Sequence, residues 1–386
     1  MIPCFLRLAH HGRGWLEIRW SASGKGARRS CRPPLVRLVA WQKRSALPLP
    51  TLCLFNACHP LHPTGRWRGL VMQRILTRAA LVATVCALSL TPSLAADGTV
   101  GDRILQLTRG TKWQKTDEIK LPFPTFHPQG MVRIGDEFFV SSVEIIKPTT
   151  RYEIPRNGFD RDEGEGRGHL FRIDADGRLL GSLRLDEGSI YHPGGIDFDG
   201  RHIWVPVAEY RPDSRSIIYR VDPKSMKAEE VLRFGDHVGG LVYNTDADTL
   251  HGVSWGSRRF YAWPLKDDGT VANAAADPAS LRVANPAQYI DYQDCKYVSA
   301  GRMACSGLNA YRVAPDATPF RLGGLEVVDL KDNRPIWQVP IELWAPSGLP
   351  MTQNPTFLEA TPTGLRGYFM PDDDQSTIFI YEAATQ

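Results

Sequence analysis

Long helical periodicity is missing from this chain. Beyond about residue 113 no extended stretch repeats apolar residues at the helical interval, which excludes a helix bundle and leaves an all-β reading. Equally absent are a glycine-rich phosphate loop, a dinucleotide-binding glycine fingerprint and cysteines at zinc-ribbon spacing, so those chemistries have no motif to stand on. The serines at Ser141-Ser142 and Ser254-Trp255-Gly256-Ser257 lack nucleophile-elbow context, which leaves a serine triad weakly supported. Acidic residues are nearly missing from the first 71 positions, where 12 Lys and Arg face Glu17 alone. That segment carries about +11 of a formal +4, leaving the remainder near −7.

Cysteine also thins out: of seven, only Cys295 and Cys305 lie beyond residue 95. They bracket the turn Ser299-Ala300-Gly301, so they either face each other across a hairpin as a disulfide or sit as two small buried residues that never meet.

No apolar run is long enough to span a membrane stably. The nearest, Ala79 to Leu90, follows Arg74 and Arg78 and precedes Ser93-Leu94-Ala95, the layout of a secretory signal peptide over residues 72–95 with cleavage near Ala95. Cys86 follows Val85 rather than a small residue, which speaks against a lipoprotein anchor. Residues 1–71 then read as an unstructured, non-native upstream extension; the competing account is a genuine basic arm contacting nucleic acid or membrane. The mature chain, near −9, favours neither partner, and its expected location is secreted or periplasmic.

What is present is repetition. Tyr191–Gly200 (YHPGGIDFDG) has counterparts at Phe126–Ile134 (FHPQGMVRI) and Asp236–Asn244 (DHVGGLVYN), with fainter copies at Gln293–Ala300 and Gln353–Ala360. Each opens a group of short Val, Ile, Phe, Tyr and Trp runs punctuated by Asp-Gly turns. Four antiparallel strands in about 45 residues is the period of a propeller blade. After a short N-terminal segment (residues 96–112, with a helix-like pattern at Ile104, Leu105 and Leu107), residues 113–386 are predicted to form a β-propeller of five four-stranded blades, six being the alternative. The last unit lacks one strand, and Asp117–Leu121 can supply it, closing the ring without an open edge.

Inner strands line the channel, so their first residues stand round one mouth. Alignment of the openings puts His127, His192, His237, Gln293 and Gln353 at one level, with Asp294 and Asn354 next. Three neutral imidazoles suit a divalent metal such as zinc or iron, with calcium the oxygen-ligand alternative; the structural reading is that imidazole and glycine merely let the strand bend into the channel. Second strands return to the same mouth, bringing Glu144 and Glu209 as candidate general bases and Asn309 and Asp373 as ligand contacts. The inserts Ile146–Arg167 and Tyr311–Leu322 should overhang it, and Tyr152, Phe159, Tyr210 and Tyr311 on that face could stack on a sugar. Within the first insert, Asp160, Asp162 and Glu165 lack the rest of a calcium loop and read as a solvated loop. Asp197-Phe198-Asp199-Gly200 reads as strand and hairpin turn rather than as ligands.

The combination HPQGM, HPGGIDFDG with IWVPVAEYRP, and DHVGGLVYN over residues 113–383 resembles an uncharacterised family of secreted propeller-like proteins, which implies fold and export but no activity. In layout the chain is more distantly similar to gluconolactonase and strictosidine-synthase propellers, whose axis holds a divalent metal or a catalytic acid. It departs from them in using histidines for carboxylates and asparagines, and five units for six. Two functions stay open: a metal-dependent hydrolase or lyase acting at the mouth, or a non-catalytic propeller binding a carbohydrate, peptide or protein through its face loops.

Overall fold

Apolar runs of four to seven residues broken by Asp-Gly turns are too short to bury themselves, and they do so here by pairing into sheets that cover one another. The computed structural model describes residues 5–11, 15–21 and 99–385, in two units divided near residue 90. In the first, β1 (Phe5–His11) and β2 (Trp15–Ser21) pair antiparallel. The expected signal peptide lies outside the described residues.

The second unit begins with α1 (Val100–Ile104), capped by the Thr99 side chain, and β3 (Trp113–Lys120). Five blades follow. Blade one is β4 (His127–Ile134), β5 (Glu137–Lys147), β8 (Glu165–Ile173) and β9 (Leu179–Arg184), with the hairpin β6 (Arg151–Arg156) and β7 (Phe159–Arg161) inserted between its second and third strands. Blade two has an inner strand in two pieces, β10 (Ile190–Pro193) and β11 (Asp197–Phe198), both on β12 (Ile203–Glu209), then β13 (Ser216–Asp222) and β14 (Lys227–Phe234). Blade three is β15 (Val238–Asn244), β16 (Thr249–Ser254), β17 (Arg259–Pro264) and a two-residue β18 (Val283–Ala284) after α2 (Pro278–Leu281). Blade four is β19 (Asp291–Ser299), β20 (Arg302–Tyr311), β21 (Phe320–Asp329) and β22 (Arg334–Ile341). Blade five is β23 (Thr356–Thr361), β24 (Gly364–Phe369) and β25 (Thr377–Ala384), completed by β3.

The chain is therefore an all-β, five-bladed propeller. Its ring closes as the missing strand requires: Thr377 pairs with Lys120 and Ile378 with Ile119, so the edge of β25 is covered. The closing strand starts four residues earlier than expected, at Trp113.

The core lies between blades. Strand residues alternate between two faces, and here each face meets a neighbouring blade. One apolar cluster joins blades one and two (Val132, Phe139, Ile196, Val205), and others join each successive pair round to blades five and one (Tyr368, Ile378, Met131, Phe138). This is why IWVPVAE of β12 is buried at every position. Burying each large apolar side chain such as Phe139 or Leu170 contributes about 1.5–3 kcal/mol. Ile104 and Leu107, fully buried, fasten the N-terminal segment to blades four and five. Cys295 and Cys305 stand opposite each other in register and are bonded, which decides between the two readings of that pair.

Candidate functional site

Glycine carries the inner strands into close contact on the axis. A Cβ at Gly130 would lie 2.5 Å from the Ile196 amide nitrogen, and one at Gly194 2.2 Å from the Gly239 carbonyl. At this level the blades bond to one another: the Gly195 amide donates to Gly239 O (3.0 Å) and the Leu241 amide to Gly195 O (3.2 Å). The channel is thus pinched at a waist, with a mouth on either side.

The histidines occupy one mouth. In blades one, three and four the inner strand bulges at the same place relative to its partner, at Gln129, Gly239 and Gln293. That register makes Asp291, two residues before the expected Gln293, the blade-four counterpart of His127 and His237. It also moves Asp294 from the mouth to the waist. There its Oδ2 accepts from the Met131 amide (2.9 Å) and its Oδ1 from the Ile196 amide (3.2 Å), doing for blade four what backbone carbonyls do between blades two and three. In blade five, Gln353 and Asn354 precede the inner strand, which starts only at Thr356.

His192 is the central imidazole. Its ring centre lies 6.4 Å from that of His127 and 6.2 Å from that of His237. It is 5% exposed, stacks on Tyr210 at 4.2 Å, and neither ring nitrogen has a hydrogen-bond partner in the protein. Burial, then the neighbouring His237 and His127, push its pKa well below the usual value; burial likewise lowers His237, to about 4. His237 Nδ1 lies 2.9 Å from Glu209 O. His127 Nδ1 lies 2.9 Å from Asp373 Oδ1, which also accepts from Asn354 Nδ2 at 2.8 Å. Burial would raise Asp373, but the bonds from His127 and Asn354 hold its pKa below the ordinary carboxylate value. In a neutral His127 this carboxylate favours the Nδ1–H tautomer, which puts the lone pair on Nε2. Gln353 Oε1 and Asn354 Oδ1 are buried beside this arc without partners.

Nitrogen ligands at about 2.0–2.1 Å on one tetrahedral metal would draw ring centres to roughly 5 Å. The three imidazoles stand further apart in a row, and among the described residues no three His, Cys, Asp or Glu side chains are grouped to hold a metal. As placed, the histidines fit hydrogen bonding better than a shared ion.

The two candidate bases differ. Glu209 is fully buried and accepts from Ser189 Oγ (2.8 Å), Arg211 Nε (2.7 Å) and Arg215 Nε and Nη2 (3.0 and 2.6 Å). Burial alone would raise its pKa, but Arg215, Ser189 and Arg211 overcome it and hold the group ionised, with its oxygens occupied. Glu144 is half-buried, 3.4 Å from His169 Nε2 and 3.5 Å from Arg167. Asn309 is spent on Gln288 O (3.3 Å) and the Ala310 amide (2.8 Å), and Gln293 is half-buried at its bulge.

The first insert covers blades two and three at this mouth. Tyr191 Oη donates to Glu163 O (2.5 Å), the Arg161 guanidinium lies 4.9 Å from the Trp255 ring, and Arg211 lies 3.7 Å over Phe159. The segment is largely exposed, as expected, but forms a hairpin rather than an irregular loop: Asp160 pairs with Arg161 (2.9 Å), and Asp162 Oδ1 accepts from the Thr150 amide (2.9 Å). Arg161 and Trp255 carry no repeat signal; only the fold brings them over His192's neighbours. Tyr311, 44% exposed, bonds Tyr289 O (3.2 Å).

Asp197 corrects the sequence reading most sharply. Asp199 is the turn residue, accepting from the Arg201 and His202 amides, but Asp197 faces the axis, 4% exposed. Its Oδ2 accepts from the amides of Tyr243 (3.0 Å) and Tyr297 (3.1 Å). Burial raises Asp197 to about 7 and Asp294 to about 6. Lys296 pairs with Asp294. The available signal was positional: Asp197 and Lys296 are charged where the aligned inner strands of blades one and three carry Val132 and Val242.

Fold and site together define a β-propeller with a histidine-lined mouth on one side of a pinched axis and buried carboxylates on the other. The chain belongs to the family of unknown function DUF6454, whose model matches residues 80–386. No curated protein matches it. Among solved structures it is similar to Kuenenia stuttgartiensis hydrazine synthase (14% identity, 69% of this chain and 60% of that one, TM-score 0.30). It is also similar to a luciferin-regenerating enzyme (9%, 72% and 98%, TM-score 0.39) and to the WD40 domain of Toxoplasma gondii coronin (7%, 72% and 88%, TM-score 0.34). The chain thus spans 60% of the hydrazine synthase chain. Likenesses this distant assign it no ligand and no reaction.

Proposed function

We propose that this propeller binds a small polar molecule, a sugar or hydroxy acid, at the histidine mouth, and that His127 exchanges a proton with it in a hydrolytic or eliminative reaction. The observation that carries the reading is His192: a buried imidazole with both nitrogens unpaired, beside a His127 whose tautomer Asp373 sets. A buried polar group without a partner costs about 1–3 kcal/mol, which a bound hydroxyl would recover. Neutral imidazoles donate and accept at once, matching hydroxyl groups better than ions. His127 Nε2 is the base and, once protonated, the acid. Export from a signal at residues 72–95 belongs to the same proposal, and what supports it is the Cys295–Cys305 bond, which persists in oxidising compartments.

The test is titration of the protein with a panel of neutral sugars, sugar lactones and hydroxy acids, and separately with zinc, iron(II) and calcium, following the histidine ring nitrogens by NMR. The reading expects an organic probe to perturb His127 and His192 first, and His192→Gln to weaken it about tenfold, equal to about 1.4 kcal/mol. Perturbation by a metal alone would favour the metal-centred reading; no response at either histidine would refute the site.

A second reading has its own observation. The inserts expose apolar side chains, Ile154 at 78% and Val313 at 99%, with Phe320 at 58%. Such residues on face loops suit docking of a carbohydrate, peptide or protein. Removing the β6–β7 hairpin would abolish that binding, whereas His192→Gln would leave it intact.

A further inference from the structure

Beyond the waist the channel widens into a cavity of about 440 Å³, within the range of small-molecule sites. Its walls are apolar, from Val132, Phe198, Val298, Phe357 and Leu358, with Ile104 of the N-terminal segment at one side. At its inner end stand Asp197, Asp294 and Lys296.

The charges there do not balance. Lys296 is committed to Asp294 and to Cys295 O (3.2 Å). Arg133, at the wall, is spent on Glu359 and Asp136, both at 2.9 Å. Among the described residues no cation is in salt-bridge contact with Asp197, although the nearby Lys296 charge and the Phe198 amide act on it, and the Tyr243 and Tyr297 amides both donate to Oδ2. Asp246 at the wall adds a further carboxylate, bonded to Tyr297 Oη. An unpaired buried carboxylate is costly until a proton or a cation meets it.

We propose that this cavity is a second binding site, taking a small molecule with an apolar body and one protonated amine, the ammonium paired with Asp197 and the body against Val132, Phe357 and Leu358. The pairing completes a charge the fold leaves open, and the apolar walls exclude water from it. A neutral head of the same shape gains only the walls. An anionic head meets Asp197 and Asp294 with the wrong sign. The site rests on the opposite mouth from the histidines and stands or falls independently of them.

The probes are phenethylamine, 2-phenylethanol and 3-phenylpropionate, titrated calorimetrically into the full chain near pH 8. The expected result is phenethylamine binding at least about tenfold more tightly than the alcohol, with the carboxylate weakest. At about pH 6.5, binding of the amine should release a proton, read from the dependence of the heat on buffer ionisation enthalpy. Asp197→Asn keeps an acceptor for the Tyr243 and Tyr297 amides and should erase the preference for the amine. Leu358→Trp, which narrows the cavity without touching the charges, should weaken amine and alcohol alike, and His192→Gln should change neither. The proposal is overturned if the three probes bind equally, if the carboxylate binds best, if the amine does not bind at about 1 mM, or if Asp197→Asn keeps the preference.

Discussion

Replacing Asp197 with asparagine should stabilise the protein, and by an amount that depends on pH. Burial lifts the Asp197 pKa from 3.8 to about 7, against the opposing pull of Lys296 and of the Tyr243 and Tyr297 amides. A rise of roughly three units is about 4 kcal/mol of preference for the protonated form in the folded state. Between those two pKa values the folded protein holds a proton that the unfolded chain releases, so this group makes wild-type stability fall as pH rises from about 4 to about 7. The asparagine side chain does not titrate and retains the acceptor, so the variant escapes the loss. Urea unfolding of both proteins from pH 4 to pH 8 should show the stability gap widening in favour of the variant by close to 4 kcal/mol, most of it below pH 7.5. His192 and His237 act in the opposite sense. Kept neutral by burial, they make stability fall as pH drops from about 6.5 towards 4, but equally in both proteins, so they cancel in the difference. A gap that stays constant with pH, or narrows as pH rises, would refute the placement of an unpaired carboxylate on the axis.

Two further outcomes follow from the packing. Breaking the Cys295–Cys305 bond by Cys→Ala at both positions, or by reductant, opens a loop spanning 10 residues and should cost about 2–3 kcal/mol, read as a lowered urea midpoint; an unchanged midpoint would contradict the bond. Glu209→Gln leaves Arg211, its side chain 12% exposed, without its buried counter-charge, and should destabilise by about 3 kcal/mol in chemical unfolding. A loss confined to activity, with stability intact, would instead make Glu209 a working base.

The architecture was legible because a propeller repeats. Each blade must present a polar opening, a short apolar inner strand and Asp-Gly turns, and a repeat writes those constraints into the chain several times over. The missing fourth strand of blade five was equally readable, since an uncovered edge has to be closed from somewhere, and Trp113–Lys120 closes it. The site was legible only in outline. His127, His192 and His237 were found by their place in the repeat, and they do line one mouth. Blade four stands two residues out of the frame the repeat suggests, because its bulge falls at Gln293 in a segment with no histidine to mark that frame. Asp197 stands in the inner strand as expected, but its role on the axis is hidden because Asp-Phe-Asp-Gly satisfies turn chemistry locally, and nothing local says which aspartate points inward.

Composition and spacing alone thus determined that this chain is all-β, that it repeats five times, and that histidines gather at one level. Those properties depend on neighbours along the chain, where a period of two and a turn residue suffice. Tertiary structure decided which charges meet. Only closure of the ring brings Asp373 of blade five to His127 of blade one, and only the insert's return over the mouth sets Arg161 against Trp255. Only the pinch of glycines at the waist divides the axis into two chemically different mouths. The physical reason is range: strand pairing and turns are specified within a blade, whereas burial, charge compensation and pKa depend on groups that approach from other blades, as far as 246 residues away.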